Sequence, residues 1–268
     1  MLHQLDTDLD FFRETSARFL DEFAAPQELR RLRDETAGFD PDVWRRGAEL
    51  GWTSLMVDER HGGGSISGDR HVDLAVLAHE FGARAAPGPL VSTNVAASLL
   101  SHHDAHLDVL ERLLSGNTVA TWAIGEGPPH DRPGDELLEI SVDGDELVLD
   151  VTKRPVESAH EASHMVVTGR TGSGLSQVLV ATDHPGVSMT RMSGVDLTRR
   201  FSQVSFRDVR VPLDALIGEV GGAAADVDRQ RRLALVMLNA ESVGAMQTAF
   251  DMTLEWAVDR YSFGRPLA

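Results

Sequence analysis

Residues 260–268 read Arg260-Tyr261-Ser262-Phe263-Gly264-Arg265-Pro266-Leu267-Ala268 and close a long helical pattern. Upstream of them, apolar side chains recur at Val236, Val243, Met246, Phe250, Leu254, Ala257 and Tyr261, in steps of three, four or seven that share one helical face. The spacing predicts a helix with something to pack against. Arg260 and Ser262 fall at its C-terminal end, where a guanidinium and a hydroxyl beside a glycine can meet a phosphate-bearing ligand. One amphipathic helix cannot bury its own apolar face. Either a partner subunit or further polypeptide is therefore expected over it.

Outward from this helix the pattern changes twice. Residues 1–117 carry helical periodicity, with Leu9, Phe12, Ala17, Phe19 and Leu20 in the first helix and Val43 to Leu50, Leu74 to Phe81 and Val95 to Leu100 in later ones. Pro26, Pro41, the triplet Gly62 to Gly64 and Pro87-Gly88-Pro89 break them. From 118 to 220 the period shortens to two or to short β-prone runs, at Val119 to Ile124, Glu146 to Val151, Met165 to Thr168, Val178 to Ala181 and Val204 to Val211. Turn signals lie at Asp143-Gly144-Asp145 and His184-Pro185-Gly186. Helix resumes after Gly221-Gly222 and runs through 221–268. The expected class is α+β and multidomain: an N-terminal helical domain, a central antiparallel β-barrel, and the first helix of a C-terminal bundle.

Composition narrows the function. With 268 residues the chain is long enough to bury a sizeable core and to hold two domains. A net charge of -17 argues against nucleic acid and anionic membranes as partners. Cysteine is absent, which excludes disulfides, thiolate chemistry and Cys-ligated metals. Met1 to Asp6 lacks a basic stretch followed by an apolar one, and no apolar run reaches spanning length, so a soluble cytoplasmic protein is expected. Lys153 is the only lysine.

The R-x-S-F-G end at Arg260 resembles that of the acyl-CoA dehydrogenase family. Further stretches in family order carry the same resemblance. Leu50-Gly51-Trp52, Glu59 to Gly64 and Leu74 to Gly82 resemble its "LG…P-E-x-x-G-G-x-G…E-x-G" segment. Val204 to Pro212 resembles its "V-x-F-x-x-V-x-V-P" strand, and Ala240 to Gln247 fits the helix leading to Arg260. The resemblance implies FAD as cofactor, an acyl-CoA thioester as substrate, and a homologous subunit as partner in a dimer or tetramer. By family position the cofactor-contacting residues are Trp122, Ile124 and Gly125 on the first barrel strand, and Arg260, Ser262 and Phe263 at the helix end.

The same resemblance exposes departures. Trp122-Ala123-Ile124-Gly125-Glu126-Gly127 keeps the family's aromatic and acid but has Gly125 for its Thr, and Pro128-Pro129-His130 follows without a G-S-D loop. Lys153-Arg154-Pro155-Val156-Glu157 loses the aromatic and the hydroxyl of the family's K-x-[WF]-I-[TS]. Leu235 replaces a substrate-contacting Arg, with Arg231 and Arg232 a turn earlier as weaker candidates. The α-proton must be removed by a positioned carboxylate while the β-hydride leaves for the flavin. One family position for that base falls at Ala234 and the other lies beyond residue 268. No catalytic base is therefore assigned, and Glu241, two turns after Ala234, reads as a packing or surface residue. The pattern resembles one half of a heteromeric, sterol side-chain type dehydrogenase, contributing part of an FAD site to α,β-dehydrogenation. A non-catalytic scaffold subunit and a flavin monooxygenase or oxidase on the same fold are the alternatives.

Three local patterns have competing readings. His160-Glu161-Ala162-Ser163-His164 matches the zinc motif H-E-x-x-H, yet Pro155 precedes it, a β-prone run follows and no third ligand is spaced for it. It reads as a loop entering a strand, and no metal site is expected. His102, His103 and His106 read as a solvated helix end, because nothing nearby in sequence supplies a further ligand. The glycine triplet lacks the Lys of a phosphate loop and reads as a turn needing positive φ.

Overall fold

The computed structural model describes residues 6–34, 38–126, 139–172, 174–196 and 198–266. Six helices come first: α1 (Thr7–Phe23), α2 (Pro26–Asp34), α3 (Pro41–Glu49), α4 (Arg70–Ala83), α5 (Leu90–His102) and α6 (Leu107–Leu114). Asp6, Asp40 and Asp69 accept from the first free amides of α1, α3 and α4, which fixes where these helices begin. α5 is buried along almost its whole length and forms the centre of this half. Around it Trp52, Leu74, Leu77, Phe81 and Leu90 share one cluster with Leu233 and Met237 of the last helix. The Trp52 ring meets Phe81 edge-on at 4.9 Å, and its N–H donates to the buried Ser16 hydroxyl at 3.0 Å. The glycine triplet forms the expected turn: Gly62 has φ +86°, and a Cβ on Gly63 would stand 2.2 Å from the Val57 carbonyl.

The strands are β1 (Ala120–Ala123), β2 (Ile140–Asp143), β3 (Glu146–Glu157), β4 (His164–Thr171), β5 (Gly174–Ala181), β6 (Val187–Arg191), β7 (Phe201–Pro212) and β8 (Leu216–Ile217). Among the described residues no closed barrel of the kind expected is found; the strands pair as two four-stranded sheets, β1-β4-β5-β8 and β2-β3-β7-β6, and β1 runs parallel to β4. Ala123, Met165, Val167, Val178 and Val180 of the first sheet share a cluster with Leu147, Leu149, Val204 and Phe206 of the second. The two sheets thus bury one apolar layer between them without a continuous ladder round it. β2 and β6 escape sequence reading because they are the edges of the second sheet, mostly exposed and polar, so no apolar period marks them. Gly144 and Asp145 close the β2–β3 hairpin, as the Asp-Gly signal predicts.

The last helix, α7 (Ala224–Asp259), is 36 residues long and leads into a short hairpin of β9 (Tyr261–Ser262) and β10 (Arg265–Pro266). Its predicted apolar face is not the one that packs. Val227, Gln230, Leu233, Met237 and Gly244 are buried, whereas Val243, Met246, Phe250, Leu254 and Tyr261 are exposed. At roughly 100° per residue the buried stripe lies about a third of a turn round from the predicted one. The reason is close approach. A Cβ on Gly82 would stand 1.9 Å from the Glu241 carbonyl oxygen, and one on Gly244 would stand 2.1 Å from the His79 carbonyl oxygen. Small residues let α4 and α7 touch backbone to backbone, and the bulky stripe is turned away.

Candidate functional site

Strand β1 ends in the first group of expected cofactor contacts. Trp122 is half-buried and its indole N–H donates to Thr168 Oγ1 at 2.9 Å. Thr168 also accepts from Gln177 at 3.0 Å, and Gln177 donates to Gln230 of α7 at 2.6 Å, so one buried polar chain joins β1, β4, β5 and α7. Gly125 stands where a side chain cannot: its Cβ would lie 2.7 Å from the Arg154 carbonyl, and its own carbonyl accepts from the Arg154 amide at 2.7 Å. The Ile124 carbonyl accepts from Lys153 at 3.2 Å. The Gly127 to His130 segment lies outside the described residues.

Lys153 has no exposed side-chain surface. Its ammonium donates to the carbonyls of Ile124 and Thr168, the latter at 2.6 Å, and forms a salt bridge with Glu126. Three donors meet three acceptors, which is what a buried ammonium requires. The Lys153–Glu126 charge pair ties β3 to the end of β1, while Pro155 and Glu157 stand where the aromatic and the hydroxyl are missing.

The second group lies elsewhere. α7 ends at Asp259, and Phe263 and Gly264 form the hairpin turn with φ +52° and +77°, the mirror-image turn that two-residue hairpins favour. Phe263 is fully exposed, 102% of its reference surface, in a conformation that costs a non-glycine residue energy. The Arg260 guanidinium lies 6.0 Å from the Trp256 ring. The Ser262 side chain lies outside what is described. Thr248 bonds to the Ala83 carbonyl at 2.8 Å; with a rise of about 1.5 Å per residue, Arg260 lies roughly 18 Å further along the axis. Within one chain the two groups are not brought together.

Arg231 is half-buried on α7, while Arg232 is exposed and pairs with Asp228 at 2.7 Å. Glu241 is not a surface residue. Its carboxylate forms a close salt bridge with Arg199, whose other terminal nitrogen is 2.8 Å from Glu157. Burial raises Glu241, and adjacent Glu157 adds to this against the pull of Arg199, so its pKa is pushed up to about 7. Burial likewise raises Glu157. Arg199 and Glu241 border a cleft of about 330 Å³ between the end of α4, the turn before α5, α7 and the loop between β6 and β7. Sequence reading missed Arg199 and Glu157 because 42 residues separate Arg199 from each carboxylate.

The H-E-x-x-H residues are dispersed. His160 lies in the turn after β3 and bonds Ser202 at 2.8 Å, His164 opens β4 beside Ser163 at 2.9 Å, and Glu161 accepts from the Gly38 amide at 3.1 Å. At the end of α5, Asp226 of α7 joins His102 and His103, with ligand atoms all within 4.8 Å. A further donor therefore exists where sequence spacing offered none. His103 Nε2 is 2.8 Å from Asp226, whose other oxygen accepts from Arg229 at 2.9 Å, so the group ties α5 to the start of α7.

Comparison with known proteins follows the same lines as the geometry. Residues 6–115 match the acyl-CoA dehydrogenase N-terminal domain. The acyl-CoA dehydrogenase IpdE2 of Mycolicibacterium smegmatis is 26% identical over 263 residues, 96% of this chain and 67% of that protein. The probable acyl-CoA dehydrogenase YngJ of Bacillus subtilis is 25% identical over 250 residues, 88% of this chain but only 65% of its own length. A solved structure described as a variant of the Tcur3481-Tcur3483 steroid ACAD superposes with a TM-score of 0.84 and 27% identity, over 97% of this chain and 69% of that one. The chain therefore spans about two thirds of these relatives. No described helix is long and apolar enough to cross a membrane.

Proposed function

We propose, from the match of residues 6–115 to the acyl-CoA dehydrogenase N-terminal domain, that this chain is one subunit of a flavin-dependent acyl-CoA dehydrogenase whose FAD sites are shared with a homologous partner subunit. The reaction is α,β-dehydrogenation of an acyl-CoA thioester, for which FAD supplies the hydride acceptor. The residues at the end of β1 do not by themselves fit a flavin ring. The Trp122 N–H is spent on Thr168, the Ile124 and Gly125 carbonyls on Lys153 and Arg154, and backbone fills the space where a hydroxyl-bearing side chain would project from Gly125.

The observation that carries the reading is the hairpin after α7. Arg260 and the fully exposed Phe263 stand beyond the last packed turn of the helix, and a large apolar side chain held wholly in solvent at a hairpin tip is a feature that a partner would explain. Such a hairpin suits contact with a cofactor in a neighbouring subunit. Domain limits of 1–117, 118–220 and 221–268 belong to the same reading.

The test is an absorbance spectrum of the full-length protein purified alone and after co-expression with a homologous acyl-CoA dehydrogenase subunit. Flavin absorbance in the assembly, with little or none in the isolated protein, is the expected outcome. Stoichiometric FAD that survives gel filtration of the isolated protein would defeat the shared-site proposal. A scaffold subunit without any flavin contact is the second reading, favoured by the internal consumption of donors and acceptors at β1. It predicts that altering Arg260 and Phe263 leaves the flavin content of the assembly unchanged.

A further inference from the structure

The cleft beside Glu241 is built unlike the rest of the interior. Phe81, Ala85, Ala86, Leu238 and Ala245 give it an apolar wall, and Arg199, Glu241, Asp196 and Thr198 give it one polar end. Its position is held by backbone contact on α4, where a Cβ on Gly82 would stand 1.9 Å from the Glu241 carbonyl oxygen, and by the salt bridge of the carboxyl with Arg199. A volume of about 330 Å³ is at the lower end of small-molecule pockets, roughly 300–1,000 Å³. That suits part of a ligand rather than a whole thioester.

The polar end has a defined chemistry. Arg199 is shared between Glu157 and Glu241, and Asp196 lies close enough to act on all three electrostatically. With Glu157, Glu241 and Asp196 around one guanidinium, Arg199 has no spare positive charge, so a ligand carboxylate finds no counter-ion here. Glu241 Oε2 engages Arg199, while Oε1 has no protein hydrogen bond among the described residues. A carboxyl held near neutrality donates to a neutral oxygen when protonated and accepts from a hydroxyl when ionised.

We propose that the cleft receives the distal end of the acyl group, and that this end carries a neutral oxygen, a hydroxyl or a keto group, hydrogen-bonded by Glu241. The inference rests on the acyl-thioester reading above and adds the substrate class. A hydroxyl or keto end gives the solvent-reached Glu241 Oε1 a partner that a plain hydrocarbon end cannot, and a carboxylate end would meet the carboxyl groups around Arg199.

Calorimetric titration of the full-length protein assembled with a homologous acyl-CoA dehydrogenase subunit tests it with three thioesters of equal chain length: decanoyl-CoA, ω-hydroxydecanoyl-CoA and ω-carboxynonanoyl-CoA. The hydroxylated ester is expected to bind about three- to tenfold more tightly than decanoyl-CoA, the range one hydrogen bond supplies, and the carboxylated ester more weakly. Glu241→Ala should abolish the preference for the hydroxyl, and Glu241→Gln, which keeps a donor and an acceptor in the same shape, should retain it. Decanoyl-CoA or the carboxylated ester binding tightest, or a preference that persists in Glu241→Ala, would overturn the inference and leave the acyl-thioester reading intact. Failure of all three to bind would remove that reading, and the inference with it.

Discussion

At the scale of single residues, Glu241 links burial to pH. Its proton affinity is raised from the ordinary carboxyl value of 4.5 to about 7, so the folded state favours the protonated form more than the unfolded state does. The stability this gives is complete below about pH 4.5 and is lost as pH rises through 7. Thermal melts between pH 5 and 8 should fall in midpoint more steeply for the wild type than for Glu241→Gln, in which the position cannot ionise. Lys153 is the opposite case, a buried cation whose partners are all in place. Lys153→Met would remove the buried cation that Glu126 and two carbonyls bond, and removing one member of such a group costs about 3–5 kcal/mol, measurable by urea unfolding. Arg260 has no such internal role. Arg260→Ala should weaken FAD binding in the assembly roughly ten- to a hundredfold while leaving the melting temperature of the isolated chain nearly unchanged. An equal loss of melting temperature with and without FAD would reduce Arg260 to a helix cap.

At the scale of elements, the contact between α4 and α7 is set by Gly82 and Gly244. Each faces a backbone carbonyl at a distance no Cβ can tolerate, so Gly82→Ala or Gly244→Ala must push the helices apart. Overpacking of this kind costs about 1–3 kcal/mol, and contact with backbone rather than a yielding side chain favours the upper end. Denaturant midpoints should therefore drop for both variants, although alanine is the better helix former. Separation of the helices would also shift Glu241 against Arg199. A drop confined to Gly244→Ala would mean that the Gly82 contact relaxes without cost.

At the scale of the molecule, α7 carries two faces with different fates. One closes on α4 and the cluster around Trp52, and the other presents Met246, Phe250 and Leu254 to solvent, with Phe263 exposed on the hairpin beyond it. A contiguous apolar surface on a long helix marks an interaction site. Phe250→Glu with Leu254→Glu should leave the fold of the isolated chain intact by circular dichroism, reduce its self-association in sedimentation velocity, and prevent assembly with a partner subunit. Unchanged assembly would show that the covering element binds elsewhere on the helix.

The sequence by itself determined the order of helical, β and helical segments, because each period is a local property: 3.6 where one stripe of a helix is buried, two where one face of a strand is. It also determined the turns at Gly62 and Asp143-Gly144-Asp145, where backbone geometry depends on a residue or two, and the departures at Gly125, Pro155 and Glu157, which are visible as substitutions in a motif. Only the tertiary structure decided which stripe of α7 packs, because periodicity locates apolar faces without saying which neighbour approaches closely enough to need glycine. It alone resolved the strands into two sheets, since edge strands such as β2 and β6 have no apolar period to read. It alone brought Arg199 to Glu157 and Glu241, and Asp226 to His103, because pairs separated by 42 and 123 residues meet through the packing of other elements and leave no mark in local sequence.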